Sequence, residues 1–224
     1  MKTCVIGDIH GCLTPLQILL EHVASRCDTL VFLGDYVDRG PQSKQVIQYI
    51  LTVKKSHPRT IALMGNHEYL FLRYLHGQDD GLFLQAGGKQ TLASYGIPAV
   101  SGPEPITTLI PEDHLAFLQT LPLYWEDEHA IYVHAGLQPG VHLSLQKQQW
   151  CLWARGQFLG AACSFGKPVI FGHTVFDSPH IAPDKIGIDT GAVYGGRLTA
   201  LILPEMEFVS VPGAPAGQNC AYGI

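Results

Sequence analysis

Five short runs of apolar and β-branched residues recur along the chain. Each is stopped by glycine or a small turn that carries Asp, Asn or His. They are "TCVIGDIHG" (3–11), "TLVFLGDYVDRG" (29–40), "TIALMGNHE" (60–68), "AIYVHAG" (130–136) and "PVIFGHT" (168–174). Continuous apolar runs of this length, bounded by glycine, read as strands buried on both faces. The segments between the first three have helical spacing. "LTPLQILLEHVA" (13–24) sets Leu13, Leu16, Leu20 and Val23 on one stripe, and "SKQVIQYILTVKK" (43–55) repeats the pattern. Alternating strand and helix predicts an α/β core with parallel strands. Sites in such sheets lie outside the carboxyl ends of the strands, so the five polar ends are expected to converge at one rim.

The rest of the chain is less regular. Residues 76–111 are rich in Gly and Pro, with one helix expected near 89–95. This stretch reads as an irregular excursion or cap within a single domain spanning 1–224. "PEDHLAFLQTL" (111–121) is a helix with Pro at its first turn and acids early. From Lys185 onward two or three strands are expected, joined at Gly195-Gly196 and near Pro204-Glu205, as an antiparallel extension of a second sheet. The tail after Pro212 is expected to be loosely ordered.

Composition narrows the partners. A chain of 224 residues can bury one sizeable core. A formal charge of −5 with no cluster of Lys and Arg argues against a nucleic-acid partner. No run approaches the ~18 apolar residues of a membrane span. The opening "MKTCVIGDIHG" is too short in its apolar part for a signal peptide, so a cytoplasmic protein is expected. Six cysteines (Cys4, Cys12, Cys27, Cys151, Cys163 and Cys220) form no CxxC pair, which argues against a zinc knuckle or a thioredoxin-type motif. Cys12 stands apart because it follows "GDIHG" directly, where oxidation could disturb a metal site.

Pooling the five strand ends gives Asp8, His10, Asp35, Asp38, Arg39, Asn66, His67, Glu68, His134 and His173. Carboxylates and imidazoles without thiolates suit divalent Mn, Fe or Zn better than a structural zinc. The set is large enough for two metals sharing a bridging carboxylate. Such a pair clamps the attacking and leaving oxygens of a phosphoryl transfer. Arg39 is then the expected bidentate partner of a phosphate dianion.

Taken in order, "GDIHG", "GDYVDRG", "GNHE", "HAG" and "GHT" resemble the phosphoprotein phosphatase branch of the calcineurin-like metallophosphoesterases, nearest to its short bacterial and phage serine/threonine phosphatases. The resemblance runs from residue 7 to about 196 and implies a β-sandwich of two mixed sheets flanked by α-helices. It implies two divalent ions, Mn²⁺ first, with Fe²⁺ or Zn²⁺ as alternatives. Asp8 and His10 would bind the first ion, Asp35 would bridge, and Asn66, His134 and His173 would complete the second. His67 would be the general acid, held by Asp38; Arg39 and Arg155 of "LWARG" would bind phosphate. Ala135-Gly136 stands where the family has Gly-Gly, a change that touches backbone packing alone.

The activity implied is hydrolysis of phosphomonoesters by direct attack of metal-activated hydroxide. The expected substrate is a phosphorylated protein (phosphoserine or phosphothreonine, with phosphotyrosine also open) or a small phosphoester. The alternative is a symmetrical dinucleoside tetraphosphate hydrolase. Those relatives lack an acid at the position of Asp38 and carry Asp where this chain has Glu68, which puts the phosphatase first. A non-catalytic phosphate-binding protein would show a lost ligand, and none is lost. Glu68 itself is expected as an acid of a helix N-terminus, and Trp150, Trp153 and Tyr194 as packing residues.

Overall fold

A computed structural model describes residues 1–57, 59–78, 81–98, 106–162 and 164–214. Two five-stranded mixed sheets face each other. The first contains β1 (Thr3–Ile6), β2 (Thr29–Phe32), β3 (Thr60–Ala62), β9 (Arg197–Leu203) and β10 (Glu207–Pro212), in the order β10-β9-β1-β2-β3. The second contains β4 (Tyr124–Glu126), β5 (Ile131–Val133), β6 (Val169–Phe171), β7 (His180–Ala182) and β8 (Lys185–Gly187), in the order β4-β5-β6-β8-β7. Strands β1, β2 and β3 run parallel, as do β5, β6 and β8.

Side-chain alternation explains why the strands read as unbroken apolar runs. In β1 and β2, Val5 and Val31 point between the sheets, where they meet Tyr132, Ile170 and Ile186. Their neighbours Cys4, Ile6, Leu30 and Phe32 point the other way. There they pack under α1 (Leu13–Val23), α2 (Ser43–Ser56), α3 (Asn66–Leu75) and α5 (Glu112–Gln119). In the second sheet, Ile131, Val133, Val169 and Phe171 face outward onto α6 (Gln148–Trp153) and α7 (Gly156–Leu159). Both faces of every central strand are therefore covered, and each fully buried Val, Leu, Ile or Phe contributes about 1.5–3 kcal/mol.

The strands and helices expected within 3–11, 13–24, 29–40, 43–55, 60–68, 111–121, 130–136 and 168–174 are present. So is the helix near 89–95, as α4 (Lys89–Ser94). Two expectations change. The parallel run is divided between two sheets, so the five polar ends come from both and meet across the rim. The C-terminal antiparallel pair completes the first sheet, not the second: β9 pairs with β1, Val5 opposite Leu201, and β10 closes that edge. The edge strands β4 and β7 and the short helices α6 and α7 carry too few residues for a periodic signal. Cys163, Cys220, part of the proposed 76–111 excursion (79–80 and 99–105) and the tail from 215 lie outside the described residues. No helix among the described residues is long and apolar enough to cross a membrane.

Candidate active site

Strand ends β1, β2, β3, β5 and β6 bring Asp8, His10, Asp35, Asp38, Asn66, His67, His134 and His173 into one buried group. The backbone there is unusual. His10, Asp35, Asp38, Arg39 and His173 all have positive φ, between 45° and 71°, a region that L-residues enter at a cost of order 1–3 kcal/mol each. Met206 is the one other non-glycine residue with positive φ among the described residues. The strain is held by cross-turn bonds: His10 N–H donates to Asp35 O at 2.7 Å, and Gly11 N–H to Tyr36 O at 2.9 Å.

Glu68 is the main clamp. Its Oε2 accepts the N–H groups of Asp35 (2.8 Å) and Gly65 (2.9 Å), and its Oε1 accepts those of Tyr36 (2.8 Å) and Val37 (3.2 Å). Burial and the nearby charge of Asp35 push its pKa up to about 8, while the four donors favour the ionised form. The geometry decides for the carboxylate, since an added proton would meet another donor. Glu68 thus shapes the turn at β2 as well as starting α3, a role beyond that of a helix acid.

Asp35 lies between two sets of imidazoles. Its Oδ1 lies 3.4 Å from His134 Nε2, and its Oδ2 lies 3.3 Å from His10 Nε2 and 3.8 Å from His67 Nε2. Two groups of potential metal ligands result, His10–Asp35–His67 and Asp35–His134–His173, sharing Asp35. Asn66 Oδ1 joins the second group, 2.8 Å from His134 Nε2 and 3.0 Å from His173 Nδ1. Asp8 stands outside both tight groups, yet its Oδ1 is buried without a hydrogen-bond partner while Oδ2 accepts the N–H of His173 at 3.0 Å. A Cβ on Gly172 would collide with that orphaned oxygen, so glycine there leaves it room.

These residues fit divalent cations. The Nδ1 of His10 lies 2.8 Å from Val37 O, and that of His134 lies 3.0 Å from Leu33 O. Donation of Nδ1–H to those carbonyls leaves each Nε2 lone pair facing the site. Burial lowers His10 to about 4, His67 to about 3 and His173 to about 2, and it lowers His134 as well. The imidazoles are therefore neutral near pH 7, the form that ligates metal. Burial, then the charges of Asp189 and Asp35, push Asp8 well up. Three buried acids crowded together call for a cation. Asp189 was not among the sequence candidates. It follows β8 in "IGIDTG", a sixth strand ending in an acid and glycine, and the same signal could have found it.

Around the ligands stand the remaining candidates. His67 Nδ1 lies 2.7 Å from Asp38 Oδ2. Asp38 is fixed in turn by Thr91 of α4, whose hydroxyl donates to Oδ1 at 2.6 Å and accepts Asp38 N–H at 2.8 Å. Burial pushes Asp38 up to about 8. Arg39 lies across His10, with its guanidinium 2.5 Å from Nε2 and above the ring of Tyr194 at 5.5 Å. Arg155 Nε donates to His173 Nε2 at 3.1 Å. Each arginine therefore covers a ring nitrogen of a candidate metal ligand. Cys12 is buried, with its Sγ 3.6 Å from His10 O.

The model of calcineurin-like phosphoesterases matches residues 1–176. The chain is similar to the asymmetrical bis(5'-nucleosyl)-tetraphosphatase PrpE of Bacillus thuringiensis (strain Al Hakam), at 30% identity over 96% of this chain and 95% of that protein. The protein of the same name from Bacillus cereus (strain 03BB102) matches to the same extent. A crystal structure provisionally assigned as a diadenosine tetraphosphatase superposes with a TM-score of 0.72 at 25% identity, covering 95% of this chain and 94% of that one. The cold-active protein-tyrosine phosphatase of a Shewanella species shares the fold, with a TM-score of 0.68 at 16% identity, over 93% of this chain and 77% of that one.

Proposed function

Because the chain belongs to the calcineurin-like phosphoesterase family, we propose that it hydrolyses dinucleoside tetraphosphates, cleaving them unequally into a nucleoside monophosphate and a triphosphate. One observation carries this reading: relatives named as asymmetrical bis(5'-nucleosyl)-tetraphosphatases match this chain end to end at 30% identity. That reverses the order expected from Asp38 and Glu68, which put a protein phosphatase first, and it replaces symmetrical with unequal cleavage.

Asp8, His10 and Asp35 would hold one divalent ion, and Asp35, Asn66, His134 and His173 the other. When bound, the two ions lower the pKa of water and draw charge from the phosphoryl oxygens. The protein's own part is positioning and charge. Arg39 would yield the Nε2 lone pair of His10 to an ion and would then reach toward phosphate. Arg155 would do the same from His173, because Nδ1 could face an ion only with the proton on Nε2. Both arginines then offer forked donors to a phosphate chain that carries several charges. His67, oriented by Asp38, carries a proton toward the leaving oxygen.

A second reading is favoured by that last pair. An alkyl phosphate needs a proton on its leaving oxygen far more than an anhydride does, and a 2.7 Å His67–Asp38 contact suits that need. Manganese-loaded protein, given diadenosine tetraphosphate and a phosphoserine peptide side by side, separates the two. AMP and ATP as products, at a kcat/KM well above that for the peptide, are expected. Two ADP, or a faster peptide reaction, would overturn the proposal.

A further inference from the structure

Beside the metal-binding rim lies a pocket of about 440 Å³ lined by Gln149, Trp150, Trp153, Arg155 and Gln157. Its walls come from α6, α7 and the two-residue turn between them. Trp150 is half-buried against the outer core of the second sheet. Trp153 behaves differently: 38% of it is exposed, although it is one of the largest apolar side chains in the protein. Its ring stands edge-on to His173, with centroids 6.3 Å apart and planes at 85°. Arg155, two residues on, lines the same pocket and bonds the same histidine. Gln149 and Gln157 are exposed around it.

An open indole, two carboxamides and a guanidinium joined to the catalytic centre make a specific combination. Indole stacks on any nucleobase. Carboxamides donate and accept along a base edge, as Gln does with adenine. A guanidinium pairs with phosphate. We propose that Trp153, with Gln149 and Gln157, forms the subsite for the nucleobase next to the scissile phosphate. The inference rests on the dinucleoside reading above and deepens it.

Placement also bears on the products. A base on Trp153 lies next to His173, so the first phosphate of its own nucleotide falls at the candidate metal ligands. Equal cleavage would need two phosphates between base and centre. A subsite this close to His173 therefore selects the bond after the first phosphate, which is unequal cleavage. A phosphoserine peptide brings no planar group that needs such a surface.

The test compares wild type, Trp153→Ala and Trp153→Phe on diadenosine tetraphosphate and on inorganic tripolyphosphate, which has no base. AMP binding is followed separately by quenching of tryptophan fluorescence. Trp153→Ala is expected to raise KM for the dinucleotide about tenfold, within the range for losing one stacked base. Its loss on tripolyphosphate should be several-fold smaller, and Trp153→Phe should recover most of the difference. AMP should quench wild type and quench Trp153→Phe far less, although Trp125 and Trp150 remain. Equal losses on both substrates, or quenching that survives in Trp153→Phe, would overturn the subsite. If AMP quenches Trp153 but wild type leaves diadenosine tetraphosphate intact, the substrate reading falls and the base subsite stands. If hydrolysis proceeds and Trp153→Ala shows no base-dependent loss, the subsite falls alone.

Discussion

Glu68 Oε2 holds the backbone of Asp35: it accepts the Asp35 N–H at 2.8 Å, in a turn where Asp35 has φ 52°. The residue that faces both groups of candidate ligands is thus kept in a strained conformation by an acid that belongs to neither group. The same carboxylate takes three further N–H groups. Glu68→Gln keeps the volume but turns an NH2 group toward some of those donors. It should cost about 2–3 kcal/mol of stability, the scale of a buried donor left unpaired. Urea unfolding reads the loss, and titration calorimetry should show weaker metal binding. A variant as stable as wild type with unchanged metal affinity would reduce Glu68 to a helix-terminal acid.

The division of ligands around Asp35 makes a second prediction. Its two oxygens face different imidazoles, His134 on one side and His10 on the other. Asp35→Asn should therefore impair both metal positions, while His173→Ala should weaken only the one shared with Asn66 and His134. Metal analysis after loading should approach two ions for wild type, fall below one for Asp35→Asn, and stay near one for His173→Ala. Two ions retained by Asp35→Asn would refute the bridge.

Arg39 tests phosphate recognition. Its guanidinium is stacked on Tyr194 and aimed across His10. Arg39→Ala should lose ~10²-fold in kcat/KM, comparable to losing one oxyanion donor. Arg39→Lys should recover little, because a point charge cannot reproduce the fork or the stacking. Steady-state kinetics on diadenosine tetraphosphate decide this, and near-wild-type rates in Arg39→Lys would count against a bidentate contact.

Much of this site is legible in the sequence because its residues sit at a repeated place, the glycine turn after an apolar strand. Asp8, Asp35, Asn66, His134 and His173 all announce themselves that way. Residues that act through others are harder to read. Thr91 fixes Asp38 from a helix 53 positions away, and only the packing of α4 on the β2 turn reveals it. Glu68 looks like any early helix acid until four N–H groups converge on it. The exposure of Trp153 also depends on tertiary structure: Trp150 and Trp153 lie on one short helix, and one packs inward while the other opens toward the site. The assignment of β9 and β10 to a sheet escaped local reading for a similar reason. Strand pattern gives the faces of a strand and leaves its partner to long-range contacts.

Away from the site, Asp127 ties the two sheets together. Its carboxylate accepts the Thr3 hydroxyl at 2.7 Å from the start of β1, the N–H groups of His129 and Ala130, and the Tyr132 hydroxyl at 2.9 Å. Burial opposes ionisation, but these bonds, led by Thr3, outweigh it and hold the pKa below its ordinary 3.8. A depressed carboxyl contributes stability above its unfolded pKa and loses it as pH falls through the folded one. Asp127→Ala should cost about 2 kcal/mol at pH 7. The gap from wild type should narrow as pH drops below 3.8, where the wild-type carboxyl also protonates. A gap independent of pH would assign the effect to packing.

The contact between His67 and Asp38 separates the two classes of substrate. Both are fully buried, 2.7 Å apart, and Thr91 locks Asp38 from the other side. Burial drives each toward its neutral form, Asp38 up to about 8 and His67 down to about 3. With both groups neutral, Asp38 keeps its proton on Oδ2 and donates it to His67 Nδ1, which leaves the ring's own proton on Nε2. That Nε2 proton faces Asp35 and the reacting space, so the pair presents an acid without any net charge. A serine phosphate expels an alkoxide and needs the proton; p-nitrophenyl phosphate and a dinucleoside tetraphosphate expel stable anions and need it little. Asp38→Asn should leave metal content intact and lower kcat for a phosphoserine peptide by ~10²-fold, the scale of general acid catalysis. Losses on p-nitrophenyl phosphate and diadenosine tetraphosphate should be only a few-fold. His67→Asn should show the same ordering, and the double variant should be little worse than either single one, because the two residues act as a unit. Kinetics of the four proteins on the three substrates settle it. Equal losses on all three, or additive losses in the double variant, would dissolve the pair and leave Asp38 as a residue that shapes the turn.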